Sequence, residues 1–155
     1  LGRPQRPGDE PLDLGRWSQI LAAFLLPRKL KLNLELGDYL VKDAGVLLLQ
    51  VNTVENKDSL RLVGVNGGMN LQNLWAYYQI FMQPVPLRHN PQAALERVTI
   101  AGNINEPVDL FAEACELPAV EEGEYLALLN TGGYGSSVAS NHSMRGKFGE
   151  YLLLG

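Results

Sequence analysis

Several stretches of this chain carry residue types that could do chemistry. Glu35 closes an alternating apolar run, Leu30-Lys-Leu-Asn-Leu-Glu35, two residues before Gly37. An acid at the C-terminal end of a strand is where α/β proteins place functional groups; the same acid could also be an edge residue in water. Asn130-Thr-Gly-Gly-Tyr-Gly-Ser-Ser137 is rich in glycine and hydroxyls around Tyr134. Its backbone N–H groups could cradle a phosphate, but it lacks the lysine and spacing of a nucleotide P-loop, and an ordinary glycine loop has the same composition. Asn103-Ile-Asn-Glu-Pro-Val-Asp109 sets two amides and two acids together, while Asp109 could equally cap a segment Leu110–Ala114. His142, beside Asn141, shows no base or metal partner and reads as a surface histidine. Cys115, in Ala114-Cys-Glu-Leu-Pro118, reads as a buried thiol rather than a nucleophile.

The elements that must position these groups follow from apolar periodicity. The first fifteen residues carry Pro4, Pro7 and Pro11 and no period, which predicts a loop. Leu14, Trp17, Ile20, Leu21, Phe24 and Leu25 recur at helical spacing until Pro27, predicting a helix over 14–26. Leu30–Glu35 alternates at the period of a half-buried strand, and Leu36-Gly37-Asp38 ends it. Val46–Val54 and Leu60–Val65 are β-rich, and Glu55–Ser59 between them is turn chemistry, so the pair predicts a hairpin. Leu71–Phe81 is a short helix or an aromatic-rich extended segment. Val85–Leu87, Arg97–Ile100, Tyr125–Leu129 and Tyr151–Leu154 are further short strands. Strands separated by Gly/Pro turns predict a mainly β body, a small barrel or sandwich, over about 38–155. The helix and single strand of about 1–37 cannot bury their own faces, and so resemble the tail of a larger α/β unit.

Composition excludes several classes. The 155 residues are about one domain's worth, 46% of them hydrophobic and 19% charged, the profile of a globular protein. A net charge of −4 argues against nucleic acid or an anionic membrane as partner. No apolar run approaches the roughly 18 residues of a membrane span. The lone cysteine cannot form an internal disulfide, which points to a reducing, cytoplasmic compartment, and the two histidines and the cysteine lack metal-ligand spacing.

The order of the motifs is more specific than any one of them. Glu35-Leu-Gly37, Asp43-Ala-Gly45-Val-Leu-Leu, Gly68-Met-Asn70, Asn105-Glu106, Gly133-Tyr134-Gly135 and Ser140-Asn141 together resemble the C-terminal portion of the diaminopimelate and ornithine decarboxylase family. These are pyridoxal-phosphate enzymes of the alanine-racemase-like fold, type III, and the resemblance covers about residues 30–155. It implies a parent with a (β/α)8 barrel, of which 1–37 is a remnant, and a C-terminal β-barrel domain over 38–155. It also implies pyridoxal 5'-phosphate, an amino-acid substrate, and a homodimer whose β-domain completes the partner's active site.

Residue by residue, Glu35 matches the glutamate of the family's Glu-Pro-Gly-Arg motif and is assigned to the cofactor's pyridine-nitrogen side. A carboxylate there keeps the ring protonated and strengthens it as an electron sink. Gly37 matches the motif's glycine, beside the cofactor phosphate, and Tyr134 matches the tyrosine that lies against the cofactor. The departures are equally informative. Leu36 replaces the proline, and Asp38 replaces the arginine of the substrate or phosphate site. A second substrate arginine, in Arg-Pro-x-Leu-Tyr, falls at Leu74 with Tyr78 as its tyrosine, or one residue earlier at Asn73 and Tyr77. The Cys-Glu-Ser-x-Asp motif becomes Asn105-Glu106-Pro107-Val108-Asp109, and an amide at 105 cannot replace the cysteine as proton donor. Glu106, or a water held by Asn105 and Glu106, then becomes the candidate for reprotonation or for binding a distal amine.

Loss of two arginines suited to a distal carboxylate implies a substrate other than diaminopimelate. The cofactor-bearing lysine of the family lies in the barrel, and none of Lys29, Lys31, Lys42, Lys57 or Lys147 sits in its motif. The chain is therefore expected to be a fragment, inactive alone. Two alternatives stay open: a racemase or a decarboxylase of carrier-tethered substrates, and a β-barrel module that serves only in assembly.

Overall fold

The computed structural model describes residues 4, 6, 8–88, 90 and 92–154. The loop expectation for residues 1–3, 5 and 7 lies outside the described residues, as does His89. Helix α1 spans Leu14–Leu25, begun by Asp13, whose side chain accepts the Arg16 N–H at 2.9 Å. No residue of α1 is buried; Leu14, Ile20 and Phe24 keep their apolar faces in the open.

The alternating run Leu30–Glu35 does not become a strand. Leu30, Leu32 and Leu34 are exposed, and among the described residues no strand pairs with this segment. Alternation makes a sheet only where a neighbour supplies ladder hydrogen bonds. Tyr151–Leu154 corrects the expectation of a late strand for the same reason: it is unpaired and exposed.

The sheet begins at β1 (Val46–Lys57), which forms the expected hairpin with β2 (Leu60–Val65). Pairing of Lys57 with Leu60 leaves only Asp58 and Ser59 in the turn, with Asp58 at φ 53°, so the strands run further than the turn-like residues Glu55–Lys57 suggest. The register shifts between Val51 and Thr53, where β1 bends from one neighbour to the other. Its first half, Val46–Gln50, pairs antiparallel with β6 (Tyr125–Leu129), which has the bounds read from sequence. Strand β3 (Gln83–Pro86) continues this side, antiparallel to β6. On the other side β2 runs parallel to β4 (Leu95–Ala101), and β4 antiparallel to β5 (Leu110–Pro118).

The order is β3-β6-β1-β2-β4-β5, and the two edge strands approach each other, so the sheet curls into a nearly closed barrel. Leu49, Val63, Met82, Ile100, Phe111 and Leu126 are among the side chains that fill it. Strand β5 replaces the expected capped segment 110–114. Ala114 there sits at φ 50° beside a register shift, which breaks the alternation a sequence reading depends on. Between β2 and β3 lies the one-turn helix α3 (Leu74–Tyr78), ended by Gln79 at φ 52°, which resolves the helix-or-extended ambiguity over Leu71–Phe81.

Candidate functional site

Two clusters gather the residues singled out in sequence. The first joins the start of the chain's β-body to the glycine loop after β6. Helix α2 (Asp38–Val41) and the helical turn Lys42–Ala44 pack over residues 131–135. Gly132 N–H donates to the Lys42 carbonyl at 2.9 Å, and Thr131 N–H to that of Gly45 at 3.1 Å. These backbones are so close that a Cβ on Gly132 would overlap the Val41 carbonyl, and one on Gly45 would overlap Gly132. The sequence carries glycine at both positions because no side chain fits.

This contact sets Tyr134 beside Gly37. A Cβ on Gly37 would stand 3.3 Å from the Tyr134 hydroxyl, so the absent side chain leaves the tyrosine its place. Tyr134 itself is at φ 56°, a conformation that bulky residues rarely adopt, at a cost on the order of 1 kcal/mol. It is 54% exposed, and Glu35, two residues before Gly37, is exposed as well.

Beneath them Lys42, only 1% exposed, places its Nζ 3.7 Å from Asp38 Oδ2. The aspartate that stands where the resemblance expects arginine therefore has a cation four residues on, which offsets its charge. Asp38 Oδ1 is buried against Gly133 without a hydrogen-bond partner. Leu74 faces the interior, whereas Tyr77 and Tyr78 are exposed and Asn73 is half-buried.

The second cluster is organised by Asp109, which is 3% exposed. Its Oδ1 accepts the Met69 N–H and its Oδ2 the Ile104 N–H, each at 2.5 Å, while Gly68 and Gly102 leave room for the carboxylate. Asp109 does not cap a helix; it ties the Gly68–Asn70 turn to the Asn103–Glu106 loop. Burial pushes its carboxyl above the usual carboxylate range, against the pull of the two N–H donors and of the charges on His142 and Arg145. Asn105 and Glu106 stand exposed on that loop. Glu106 Oε1 lies 3.7 Å from His142 Nε2, a partner that the histidine's local sequence did not reveal.

The segment 68–72 bridges the clusters. Asn70 accepts the Ser140 N–H on its carbonyl at 2.8 Å and donates its amide to the Gly146 carbonyl at 3.1 Å. Two positions on, the buried Gln72 amide nitrogen approaches Gly135 of the glycine loop. Sequence reading gave Lys42 and Gln72 no part in the site and named Asn70 only within the Gly68-Met-Asn70 motif; the signal for the first two was a polar residue amid apolar ones, which has many explanations. Cavities of about 280 and 380 Å³ lie elsewhere, one beside Arg61 and Arg88, the other beside Trp75 and Cys115. None of the residues of the two clusters lines either of these cavities. Burial pushes the Cys115 thiol up, which keeps it in the less reactive, protonated form. Among the described residues no three His, Cys, Asp or Glu side chains group to hold a metal, and no helix is long and apolar enough to cross a membrane.

The class of protein with this nearly closed six-stranded barrel is given by the family match: the sheet domain of pyridoxal-dependent decarboxylases. Residues 38–132 match the family model for the C-terminal sheet domain of pyridoxal-dependent decarboxylases, and the chain belongs to that family. It is 35% identical to the diaminopimelate decarboxylase of Methanothermobacter thermautotrophicus over 162 aligned positions, covering 99% of this chain and 37% of that protein. Against the Aquifex aeolicus diaminopimelate decarboxylase the identity is 31%, covering 99% and 36%. The crystal structure of the diaminopimelate decarboxylase from M. jannaschii in co-complex with L-lysine superposes with a TM-score of 0.83 at 29% identity, covering 95% of this chain and 35% of that one. The chain therefore spans little more than a third of the length of these relatives.

Proposed function

We propose that this chain is the C-terminal domain of a pyridoxal-phosphate-dependent amino-acid decarboxylase, with residues 1–37 belonging to the cofactor-binding barrel and 38–155 to the sheet domain. The single observation that carries the reading is the joining of Gly37 to Tyr134 across the α2–glycine-loop contact. A strained, exposed aromatic held against a glycine has no packing reason, since Tyr134 fills no core. It does suit a flat ligand lying against it.

The residues fit pyridoxal phosphate. Gly37, Gly133 and Tyr134 present backbone and a phenol without bulk, Glu35 adds an exposed carboxylate, and Lys42 offsets the anion of Asp38 beside them. When bound, the cofactor would accept the electrons released as carbon dioxide leaves. Glu35 would hold a proton at the ring nitrogen, and Tyr134 would orient the ring. Glu106, with Asn105 beside it, would hold or deliver a proton at the substrate carbon, or bind a distal amine. Leu74 is buried, so the alternative register applies, and Asp38, Asn73 and Tyr77 mark the positions that set substrate choice. None of the three is cationic, which favours an amino acid other than diaminopimelate. The complete enzyme would act in the cytoplasm as a homodimer, each sheet domain completing its partner's site.

The test uses the complete enzyme with pyridoxal phosphate added. Bound-cofactor absorbance that is lost on borohydride reduction, and carbon dioxide release from an amino acid of a panel of ornithine, arginine and diaminopimelate other than the last, are the expected results. Glu106→Gln should lower turnover by about tenfold or more. Absence of bound cofactor would favour the non-catalytic module, and unchanged turnover would remove Glu106 from the mechanism.

A further inference from the structure

Exposed histidine–carboxylate pairs are ordinarily worth little, because two mobile side chains must be ordered to make them. The pair Glu106–His142 differs in how its two backbones are held. Glu106 sits on a loop whose Ile104 N–H is taken by the buried Asp109, while the Asp109 N–H donates to the Glu106 carbonyl at 3.0 Å. The other oxygen of Asp109 takes the Met69 N–H. His142 sits in a tight turn, residues 142–144, with Ser143 and Met144 both at φ 55°, whose flanks are both fastened to Asn70: Ser140 N–H to its carbonyl, and the Gly146 carbonyl to its amide. Asn141 closes the turn by accepting the Gly146 N–H at 2.9 Å. Met69 and Asn70 are adjacent and buried, so both members of the pair hang from one rigid dipeptide.

We infer that His142 is a positioning residue for Glu106, its imidazole Nε2–H holding the carboxylate at the place where the reaction requires it. At 3.7 Å the groups are in ion-pairing range but not in a direct hydrogen bond, a separation that a small side-chain rotation closes. A carboxylate at the end of a flexible side chain samples several rotamers; a fixed donor at one oxygen selects among them and sets which oxygen is free to work. Orientation of one working group by a second, itself fixed by the fold, is the general logic of such pairs. The inference rests on the functional reading above, which gives Glu106 its task, and assigns His142 a part that acts only through it.

The test uses the complete enzyme, labelled with ¹⁵N in its histidines, in wild-type, His142→Ala, His142→Gln and Glu106→Gln forms and in the Ala/Gln double variant. The His142 signals are identified by their loss in His142→Gln. Glu106→Gln should shift the His142 ring nitrogens, because the carboxylate selects the tautomer with the proton on Nε2. In steady-state carbon dioxide release from the best amino acid of the panel, His142→Ala should lower kcat about fivefold with KM little changed, and should add nothing to Glu106→Gln. His142→Gln, which keeps an N–H donor near the same place, should recover most of the loss. Ring nitrogens indifferent to Glu106→Gln, or losses that multiply in the double variant, would overturn the pairing while leaving the decarboxylase reading intact. Conversely, a tautomer shift in a protein that releases no carbon dioxide would keep the pair and discard the decarboxylase reading.

Discussion

The barrel and the segment that precedes it use the same apolar residues to opposite effect. In the barrel, Leu49, Val63, Phe111 and Leu126 are sealed from water by strands on either side. In residues 14–34, Leu14, Ile20, Phe24, Leu30, Leu32 and Leu34 have equally regular spacing and remain exposed. Periodicity declares which face wants burial, but only a second surface can grant it. The leading segment has the pattern of an interior without one, which is what the proposed membership in a neighbouring barrel would supply.

The sharpest way to break this contrast is a pair of matched truncations. Phe111→Ala, at a side chain with no exposed area, should cost about 3–5 kcal/mol in urea denaturation. Phe24→Ala in α1, 54% exposed, should cost about 0.5 kcal/mol or less in this chain. Equal losses would mean that α1 has a docking surface on the barrel after all.

The next effect lies at the seam between the two regions. Gly132→Ala would drive a methyl into the Val41 carbonyl, and is expected to cost about 1–3 kcal/mol, read as a fall in Tm. Gly37→Ala meets only the far end of Tyr134, so its effect on Tm should be much smaller, while the tyrosine is displaced.

Asp109 provides a test of the barrel's polar frame. Asparagine offers one acceptor where the carboxylate offers two and turns an N–H toward another N–H, so Asp109→Asn should cost about 1–3 kcal/mol. The pH dependence has a definite sign. Because the folded carboxyl titrates above its unfolded value, the native state keeps its proton to higher pH. The stability it contributes is full below the ordinary carboxylate range and is lost as pH rises through the raised value. Asparagine does not titrate, so the cost of the substitution should grow on acidification between about pH 7 and pH 4. A cost that shrinks on acidification would reverse the assignment.

The smallest expected effect is at the N-cap of α1. Asp13→Ala should remove about 1 kcal/mol of local helix stability, visible as lost helical signal in circular dichroism with no change in the barrel's unfolding midpoint.

Much of the architecture was legible in the order of the residues. The bounds of β6, the β1–β2 hairpin and the start of α1 follow from spacing, because period and turn chemistry are local properties of the chain. Strand β5 was not legible: Ala114 in a left-handed conformation breaks its alternation, and Ala-Glu-Ala is poor strand composition. The motifs of the candidate site could be read as types and as an ordered set, Glu35, Gly37, Glu106 and Tyr134 among them. Their assembly could not. Gly37 meets Tyr134 across 97 positions, and Glu106 meets His142 across 36, distances over which spacing carries no information.

By itself, then, the sequence determined which faces seek burial, where the chain turns and which side chains are able to exchange protons or hold charge. The tertiary structure alone decided that Lys42 would be buried beside Asp38, that Asp109 would brace a loop rather than start a helix, and that a histidine with no local partner would stand beside Glu106. The reason is physical: propensity and periodicity act over a few residues, whereas a buried charge or a paired side chain depends on what the closed barrel brings within a few ångströms.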